Sequence, residues 1–456
     1  MVFSSPVFLF LFLPLFLGIY YLIPFRTRSL WILVGSYVFY GWWRPDFLLL
    51  IAASTAWTWA LGARIGTLRA SGANAPAGRV ALAAGVVLNL GILGFFKYFN
   101  FGVEIVNDLR GAFGLQPVAL ARIILPIGIS FYVFQAVSYL VDVYRGDARA
   151  ARSLLDVGAF ISLFPQLIAG PILRYRLLDD QLRRRTHSWD RFASGAMRFA
   201  IGFARKVLIA DAVAPLADAA FAASAPGLLA AWVGLLAYSV QLYFDFTGYS
   251  DMAIGLGRML GFHFPENFRF PYISRSITEF WRRWHISLSS WLREYLYIPL
   301  GGNRRGAGRT YVNLMTVMVL GGLWHGASWN FVLWGSLRGI ALAGERALGK
   351  RIPGRVITLG IVLLGWVFFR AETLPAAAQM LASLLGADGA GLVGSSVDWQ
   401  FSRSALLSLA IGLLLIPFEP RLTRLLSLRW IAPLLLILAA ARMVAAEFSP
   451  FLYFQF

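Results

Sequence analysis

The segment that decides the fold is Gly321-Gly322-Leu323-Trp324-His325-Gly326-Ala327-Ser328-Trp329-Asn330-Phe331, which places one imidazole inside a long apolar run. An ionisable side chain at membrane depth is costly and rare, so we predict that His325 is functional. Histidine is also the side chain whose ordinary pKa lies nearest the working pH of a general base. The alternative is a histidine that packs between two helices and bonds to a neighbouring carbonyl oxygen.

The composition is that of a membrane protein. Of the 456 residues, 59% are hydrophobic and 14% are charged, and the mean hydropathy is +0.67. Repeated apolar runs of about 20 residues predict membrane-spanning helices. Because no long polar stretch could form a separate globular domain, we predict one all-α polytopic domain over residues 1–456. The first apolar segment, Phe3 to Leu22, lacks the flanks of a signal peptide and is expected to be a retained span.

Cysteine and charge exclude several classes of site. The chain has no cysteine, which rules out disulfides, thiolate metal sites and cysteine nucleophiles. The net charge is +19, and almost all of the positive charge is arginine. In a soluble protein this charge would indicate a nucleic-acid partner. In a membrane protein, basic residues gather in cytoplasmic loops, which accounts for most of the excess.

Basic residues in short loops predict the orientation of the chain. The loops after the first, third and fifth predicted spans are basic, whereas Lys97 lies in a weaker alternate loop with Glu104 and Asp108. This pattern predicts that the N-terminus is outside and that Arg174 to Arg191 and Arg346 to Arg355 are cytoplasmic. The basic residues counted for the odd-numbered loops are Arg26, Arg28, Arg64, Arg69, Arg79, Arg145, Arg149 and Arg152.

The apolar segment from Leu154 to Leu173 lies between two basic stretches that should both be cytoplasmic. It contains Pro165, Gly170 and Pro171, which break a helix. One interpretation is a re-entrant element, which is tolerated at membrane depth only where protein or a cavity satisfies its backbone. The other is an ordinary kinked span, and both interpretations are open at this stage.

Charged residues inside apolar segments form two groups. Arg191, Arg198 and Arg205 recur every seventh position and predict a basic helical stripe. That stripe either lies on anionic lipid headgroups or forms the wall of a cavity. Asp245 and Asp251 flank a glycine and predict a break where helix ends meet. We expect these carboxylates to cap N–H groups or to hold an arginine rather than to act in catalysis.

The longest stretch without a span runs from Phe264 to Thr310. Within it, Thr278 to Leu292 predicts an amphipathic helix at the cytoplasmic membrane surface, because tryptophan on such a face is typical of an interface anchor. The residues on that face are Trp281, Trp284, His285, Leu288 and Trp291.

The segment after this stretch is predicted to enter and leave the membrane on one side. Tyr311 to Leu323 is a half-span, since 13 helical residues rise only about 20 Å of a ~30 Å hydrocarbon core. A break at Trp324 to Ser328 would place His325 at the turning point, reachable from a cavity. Later spans are predicted around three segments: Val356 to Phe369, Leu406 to Ile416 and Trp430 to Glu447.

Nine motifs occur along the chain: FYVFQ at 131–135, SYLVDVYR at 138–145, FPQLIAGP at 164–171, YFDF at 243–246, GYSD at 248–251, EFWRRWH at 279–285, YIPLGGNR at 297–304, GLWHG at 322–326 and YFQF at 453–456. Together they resemble the motifs of the membrane-bound O-acyltransferase family, in the branch that acetylates bacterial polysaccharides such as alginate. The resemblance covers nearly the whole chain, and the middle motifs are specific.

The resemblance implies a fold, a reaction and partners. It implies about 11 or more transmembrane or re-entrant helices around a central tunnel, in the bacterial inner membrane with a periplasmic N-terminus. His325 matches the family's near-invariant histidine, and His285 matches a second position that other branches fill with asparagine. The implied donor substrate is acetyl-coenzyme A, without a permanently bound cofactor. The acetyl group would pass to a periplasmic hydrolase-like O-acetyltransferase partner, which esterifies an exopolysaccharide.

Acyl transfer to a hydroxyl needs a base for the proton and a donor for the developing oxyanion. His325 as base and His285 as donor would suffice, and a covalent acyl-His325 intermediate is not required. Burial and nearby arginines should lower the pKa of both imidazoles. Arginines of the polar stretch are candidates for binding the coenzyme A phosphates. They are Arg275, Arg282, Arg283, Arg304 and Arg305.

Three other kinds of function would account for parts of this sequence. A zinc site fails on ligand count, because only His187 and His263 remain to support His285 and His325. A polysaccharide or lipid transporter would explain re-entrant elements and buried carboxylates, but the chain shows no internal repeat. Within the enzyme class, the acceptor could instead be cellulose or another glycan, and a sibling scaffold transfers D-alanine to teichoic acid. Membrane lipid is an expected partner, and nucleic acid is not.

Overall fold

The fold is given by a computed structural model, which describes residues 1–72, 75–349, 354–394, 401–426, 430–445 and 452. Helices, turns and loops account for these residues, and none of them lies in a β-strand, so the all-α prediction is confirmed. Contacts between Cα atoms divide the chain into two compact units. The first unit comprises Met1–Phe192 with Gly257–Phe264, and the second comprises Ala193–Leu256 with Pro265–Phe456. The single domain over residues 1–456 stays a prediction.

The first unit is a set of helices joined by turns and loops, the longest of which connects Ala112 to Ile129. Its helices, including one π-helical and one 3₁₀ segment, are Val7–Phe12, Leu13–Leu22, Phe25–Thr27, Arg28–Gly41, Phe47–Ala70, Ala75–Ala112, Ile129–Arg145, Leu154–Ile161, Phe164–Leu167 and Tyr175–Arg183. The helix Trp189–Ala204 begins in this unit and ends in the second.

The second unit contains almost all of the polar stretch from Phe264 to Thr310, together with the histidine motif that follows it. Its helices are Arg205–Ala210, Asp211–Ala222, Leu228–Met259, Pro271–Ile273, Ile277–Arg283, Ile286–Leu292, Arg293–Tyr297, Gly306–His325, Trp329–Ala347, Arg355–Arg370, Leu374–Leu384, Arg403–Leu426 and Ile431–Ala445. The last three predicted spans therefore correspond to helices, although residues 446 and 447 lie outside the described part of the chain. Lys350 to Pro353 of the predicted cytoplasmic loop also lie outside it.

Four described helices are long and apolar enough to cross a membrane, judged by length and composition. They are Phe47–Ala70, Pro76–Ala112, Leu228–Met259 and Arg403–Arg421. Shorter apolar helices add Val7–Leu22, Leu374–Leu384 and Ile431–Ala445. The count of 11 or more membrane helices therefore stays a prediction. Lys97 is a buried residue within the helix Ala75–Ala112, so its assignment to a loop was wrong.

The helix Leu228–Met259 is the most buried of the four membrane-length helices. Its most apolar 18-residue window is 72% buried, whereas the other three membrane-length helices are 22–33% buried. It is continuous through Asp245 and Asp251, so the predicted break between these carboxylates was wrong. The glycine that suggested the break, Gly248, instead permits close packing: a Cβ atom there would lie 2.6 Å from the carbonyl oxygen of Gly202. Small residues at helix contacts let two backbones approach in this way.

The histidine motif forms a helical hairpin made of Gly306–His325 and Trp329–Ala347. Its first helix has 20 residues, because it begins at Gly306 rather than at Tyr311. The half-span was therefore too short, since a helix of that length rises about 30 Å. The predicted fold-back after His325 is present. The two helices pack at backbone contact, and a Cβ atom on Gly335 would lie 2.5 Å from the carbonyl oxygen of Met318.

Two segments from the sequence analysis, Leu154 to Leu173 and Thr278 to Leu292, each contain two separate helices. Leu154 to Leu173 comprises Leu154–Ile161 and Phe164–Leu167 followed by turns, and part of its backbone bonds to a side chain of the same unit. The N–H of Phe164, for example, donates to Ser36 Oγ at 3.1 Å. The break is as predicted, whereas re-entry from one side stays a prediction. The expected amphipathic helix Thr278 to Leu292 was wrong, because Ile277–Arg283 and Ile286–Leu292 are separate helices.

We predict that Gly335→Ala destabilises the protein by about 1–3 kcal/mol, because the added methyl group would overpack the hairpin. The matched control is Gly344→Ala on the same helix, where a Cβ atom meets no atom within 4 Å. That control should be neutral or stabilising by up to about 1 kcal/mol. Thermal unfolding of the detergent-solubilised protein measures both changes. Equal melting temperatures for the two variants would contradict the close packing.

Candidate active site

His325 is the last residue of the first hairpin helix, and the chain turns away at Gly326. Its imidazole is 6% exposed. The ring lies edge-on to Trp334, with ring centroids 4.9 Å apart, and close to Phe369 at 5.3 Å. Aromatic walls on two sides fix the ring plane by packing, which holds the imidazole in one orientation.

His285 lies at the break between Ile277–Arg283 and Ile286–Leu292. Its backbone is left-handed, with φ 43°, a conformation that costs about 1–2 kcal/mol for an ordinary L-residue. Asn267 stabilises this turn, because its carbonyl oxygen accepts from Ile286 N at 2.9 Å and its Oδ1 accepts from Ser287 Oγ at 2.8 Å. The chain could therefore not continue as one amphipathic helix. Asn267 was not identified from sequence, since it acts on residues about 20 positions away.

Burial distinguishes His285 from an exposed histidine. The residue is 2% exposed, and its ring lies 4.8 Å from that of Phe246. Burial, and secondly the positive charge of Arg338, lowers the pKa of His285 to about 3. The neutral imidazole is therefore the form present at physiological pH. Trp284 and Trp291 are also buried, so this tryptophan face packs inside the unit rather than anchoring it at a lipid interface.

Both histidines line one cavity of about 240 Å³ in the second unit. Their ring centroids are 6.3 Å apart. The other lining residues are mainly apolar, with a few polar groups among them. They are Trp281, Trp284, Leu288, Ser289, Leu292, Arg293, Tyr297, Leu314, Val317, Met318, Gly321 and Arg338. A mostly apolar cavity with a few convergent polar groups is the usual form of a small-molecule site.

Arg338 is a cavity residue that sequence reasoning missed. Its guanidinium carbon lies 3.1 Å from the ring centroid of Trp281 and 4.1 Å from that of Trp334. Stacking on two indoles is a geometry that suits arginine, which is more weakly hydrated than lysine. An arginine within the apolar segment Trp329–Ala347 was the available signal. A single arginine is a weaker sequence pattern than the arginine-rich stretch before residue 311, which contains eight arginines between Phe264 and Thr310.

The five arginines proposed to bind coenzyme A lie elsewhere. None of them is among the residues that line the histidine cavity, where Arg293 and Arg338 are found instead. Arg283 forms an ion pair with Glu279 at 2.7 Å. The side chains of Arg275, Arg282, Arg304 and Arg305 belong to exposed residues. Their binding of coenzyme A phosphates stays a prediction, as do the catalytic roles of His285 and His325.

Asp251 joins two helices of the second unit by ion pairs. It lies 2.8 Å from Arg198 and 2.6 Å from Arg205. Arg198 also bonds to Glu266, and Arg205 also pairs with Glu419 at 2.6 Å. Two of the three striped arginines are therefore internal partners of carboxylates rather than ligands of lipid headgroups, whereas the cavity-wall role stays a prediction.

Asp245 forms a second internal pair, with Lys206 at 3.0 Å. Lys206 also lies 2.6 Å from Asp211, and Asp245 accepts the backbone N–H of Leu452 at 2.9 Å. Pairing with a cation is the role expected for both carboxylates, although Asp245 holds a lysine rather than an arginine. Buried charges require such partners because an unpaired charge inside the protein is strongly destabilising.

The remaining histidines lie apart from the cavity lining. His187 belongs to the first unit, where Tyr20 Oη lies 2.9 Å from its Nε2 atom, and His263 is exposed. Among the described residues, no group of three or more histidine, aspartate or glutamate side chains could hold a metal ion.

Comparison with known proteins identifies the family. A model of the membrane-bound O-acyltransferase family matches residues 145–358. Over 497 aligned residues and the full length of both chains, the sequence is 48% identical to "Probable alginate O-acetylase AlgI" of Pseudomonas putida. It is 54% identical to the protein of the same name from Pseudomonas aeruginosa, covering 92% of this chain and 80% of the other. The peptidoglycan O-acetyltransferase of Helicobacter pylori is 34% identical, with coverage of 86% and 81%.

The chain belongs to the membrane-bound O-acyltransferase family, and it is an acyltransferase. The histidine hairpin from Gly306 to Ala347 and the break at His285 both fall within the matched residues. The cavity between them is therefore the candidate active site of a membrane enzyme.

We predict that Asp251→Asn destabilises the protein by about 1–3 kcal/mol, because Arg198 and Arg205 each lose one of two carboxylate partners and keep only Glu266 and Glu419. The control is Asp46→Asn, which disrupts an exposed pair with Arg44; the two side chains are 51% and 39% exposed. An exposed pair contributes about 0–1 kcal/mol. The unfolding midpoints in detergent measure the difference. Similar midpoints for the two variants would show that Asp251 is not a stabilising centre.

Proposed function

We propose that the protein takes an acetyl group from acetyl-coenzyme A on the cytoplasmic side and passes it across the inner membrane for O-acetylation of an exopolysaccharide, with alginate as the favoured acceptor. The observation that carries this proposal is the pair of buried imidazoles on one cavity, 6.3 Å apart between ring centroids. The names of the relatives support polysaccharide acetylation, and 48% identity over the full length favours alginate over peptidoglycan at 34%.

In the proposed chemistry, His325 accepts one proton when the tetrahedral intermediate forms and returns it when that intermediate collapses. Neutral His325 accepts the proton of an acceptor hydroxyl as that oxygen attacks the thioester carbonyl carbon. The tetrahedral oxyanion collapses, the C–S bond breaks, and the imidazolium returns its proton to the thiolate leaving group. The cavity holds the acyl group against the imidazole, and its apolar walls exclude competing water. A relay through an acetylated His325 would use the same groups.

His285 and Arg338 are the candidates for stabilising the oxyanion. His285 is buried and neutral, so its ring N–H can donate a hydrogen bond without losing a charge. Arg338 is held by its stacking on Trp281 and Trp334 and brings a positive charge to the same cavity. A preorganised charge in an apolar site acts more strongly than it would in water.

The proposed direction of transfer follows from the basic residues. Arg293 lines the same cavity, and its side chain is 69% exposed. It is placed to meet a phosphate group of coenzyme A while the thioester enters the cavity. A cytoplasmic Phe264 to Thr310 stretch would put this end at the donor, with the N-terminus in the periplasm. We further propose a central tunnel among about 11 or more helices and a periplasmic hydrolase-like partner that completes the ester.

We predict that His325→Ala lowers acetyl transfer by about 10²–10⁴-fold, because it removes the general base. His285→Ala should lower transfer less if that imidazole only donates a hydrogen bond. The control is His263→Ala, which changes an exposed histidine outside the cavity. The measurement is acetyl ester on the exported polysaccharide, normalised to the amount of inserted protein. Wild-type acetylation by an inserted His325→Ala variant would remove this histidine from the mechanism.

We predict that Arg338→Gln lowers kcat by about 10²–10³-fold with little change in the KM for acetyl-coenzyme A, as for loss of an oxyanion donor. Arg293→Gln should instead raise that KM by about tenfold or more, as for loss of a charged hydrogen bond to phosphate. Arg338→Lys should restore part of kcat.

The matched control for both changes is Arg346→Gln, which removes an exposed charge near the end of the same helix as Arg338. Initial rates of acetyl-coenzyme A turnover by purified protein separate the two parameters. If Arg338→Gln changed only KM, the oxyanion role would be replaced by a donor-binding role.

A further inference from the structure

Two arginines of the first unit converge on one histidine and one tyrosine. Arg28 begins the helix Arg28–Gly41, whereas Arg185 lies in the connection after Tyr175–Arg183. Arg28 Nη1 lies 3.3 Å from His187 Nδ1, and its guanidinium carbon lies 4.9 Å from the ring centroid of Tyr20. Arg185 is only 7% exposed. Its guanidinium carbon lies 4.7 Å from the ring centroid of Phe262.

The hydrogen bonds around Tyr20 determine the tautomer of His187. Tyr20 Oη donates to the carbonyl oxygen of Leu260 at 2.8 Å, so it must accept from His187 Nε2–H at 2.9 Å. His187 Nδ1 then carries a lone pair and accepts from Arg28. Burial first, and then the charges of Arg28 and Arg185, lower the pKa of His187, which agrees with a neutral ring.

The cluster brings together two cations, Arg28 and Arg185. Among the described residues, no carboxylate forms an ion pair with Arg28 or Arg185, and Asp156 exerts only a weak attraction on Arg185. Arg28 Nε and both Arg185 Nε and Nη2 are buried and have no hydrogen-bond partner among the residues that the structure describes. Like charges that share a buried site are destabilising unless an anion compensates them. The N–H donors of a guanidinium group form a planar fork whose geometry fits the oxygens of a phosphate group.

Exposed aromatic residues surround the cluster. Phe25 stacks against both guanidinium groups and is 39% exposed. Trp189 is 78% exposed and stacks on Phe192, which in turn contacts Tyr21. Exposed tryptophan and tyrosine beside basic residues are typical of the headgroup level of a membrane. This setting favours a lipid over a free phosphate ion as the source of the anion.

We propose that Arg28 and Arg185 together bind the phosphate of an anionic phospholipid headgroup, at a site in the first unit that takes no part in acyl transfer. The phosphate would supply the missing negative charge and would approach through Arg28, which is the partly exposed member of the pair. Phe25 would pack against the glycerol and acyl region. The proposal is independent of the proposed function, because it uses no residue of the histidine cavity.

The test is lipid binding to the purified full-length protein in detergent, followed by native mass spectrometry. The probes are dioleoylphosphatidylglycerol and, with the same acyl chains, dioleoylphosphatidylcholine. We expect the anionic lipid to bind one site in preference to the zwitterionic lipid. Arg28→Gln and Arg185→Gln should weaken that binding by about 10- to 100-fold, as for a lost charged hydrogen bond. The matched control is Arg26→Gln, an exposed arginine two residues from Arg28, which should bind as wild type.

Several results would overturn the proposal. Equal binding of the two lipids, or equal loss of binding in the Arg26→Gln control, would show attraction without a specific site. A second arm measures thermal unfolding in inorganic phosphate against chloride at matched ionic strength. Protection by phosphate that Arg28→Gln abolishes, without selective lipid binding, would assign the site to a free phosphate ion and reject the lipid. Arg28→Gln decides the outcome alone if Arg185→Gln does not fold, because Arg28 is only partly buried.

Discussion

Close contact between helix backbones is the constraint on which the second unit depends. In an apolar surrounding, helices gain little from hiding apolar side chains, so they associate through tight packing and polar contacts. Glycine pairs provide that packing. Gly202 and Gly248 join one pair of helices, and Gly335 packs against the helix that carries His325. A side chain at any of these positions would separate the backbones and move the groups that they carry.

The charged residues of the core depend on the same contact. Because Gly202 meets Gly248, Arg198 and Arg205 come within ion-pair distance of Asp251. Close packing therefore places the cations against the carboxylate, and the ion pairs in turn fix the rotation of each helix about its axis. Replacing either kind of contact alone would leave the other under strain, since buried ion pairs tolerate little change in geometry.

Sequence reasoning recovered the features that depend on local pattern. Composition indicated an all-helical membrane protein, and Trp324 to Ser328 correctly indicated a fold-back after His325. The features that it missed depend on distant residues. The break at His285 needs Asn267, and the amphipathic periodicity of Thr278 to Leu292 continues across it unchanged.

The predicted helix break near Gly248 was wrong for a related reason, because it too depends on a distant residue. Glycine disfavours a helix in isolation, but at this position it permits contact with another helix. Arg338 was missed because its environment consists of tryptophans from two separate helices.

The left-handed backbone of His285 also limits which amino acids evolution can place there. Asparagine is among the few side chains that adopt this conformation readily. The asparagine that the family resemblance implies at this position in other branches would therefore suit the backbone shape as well as the hydrogen-bonding chemistry.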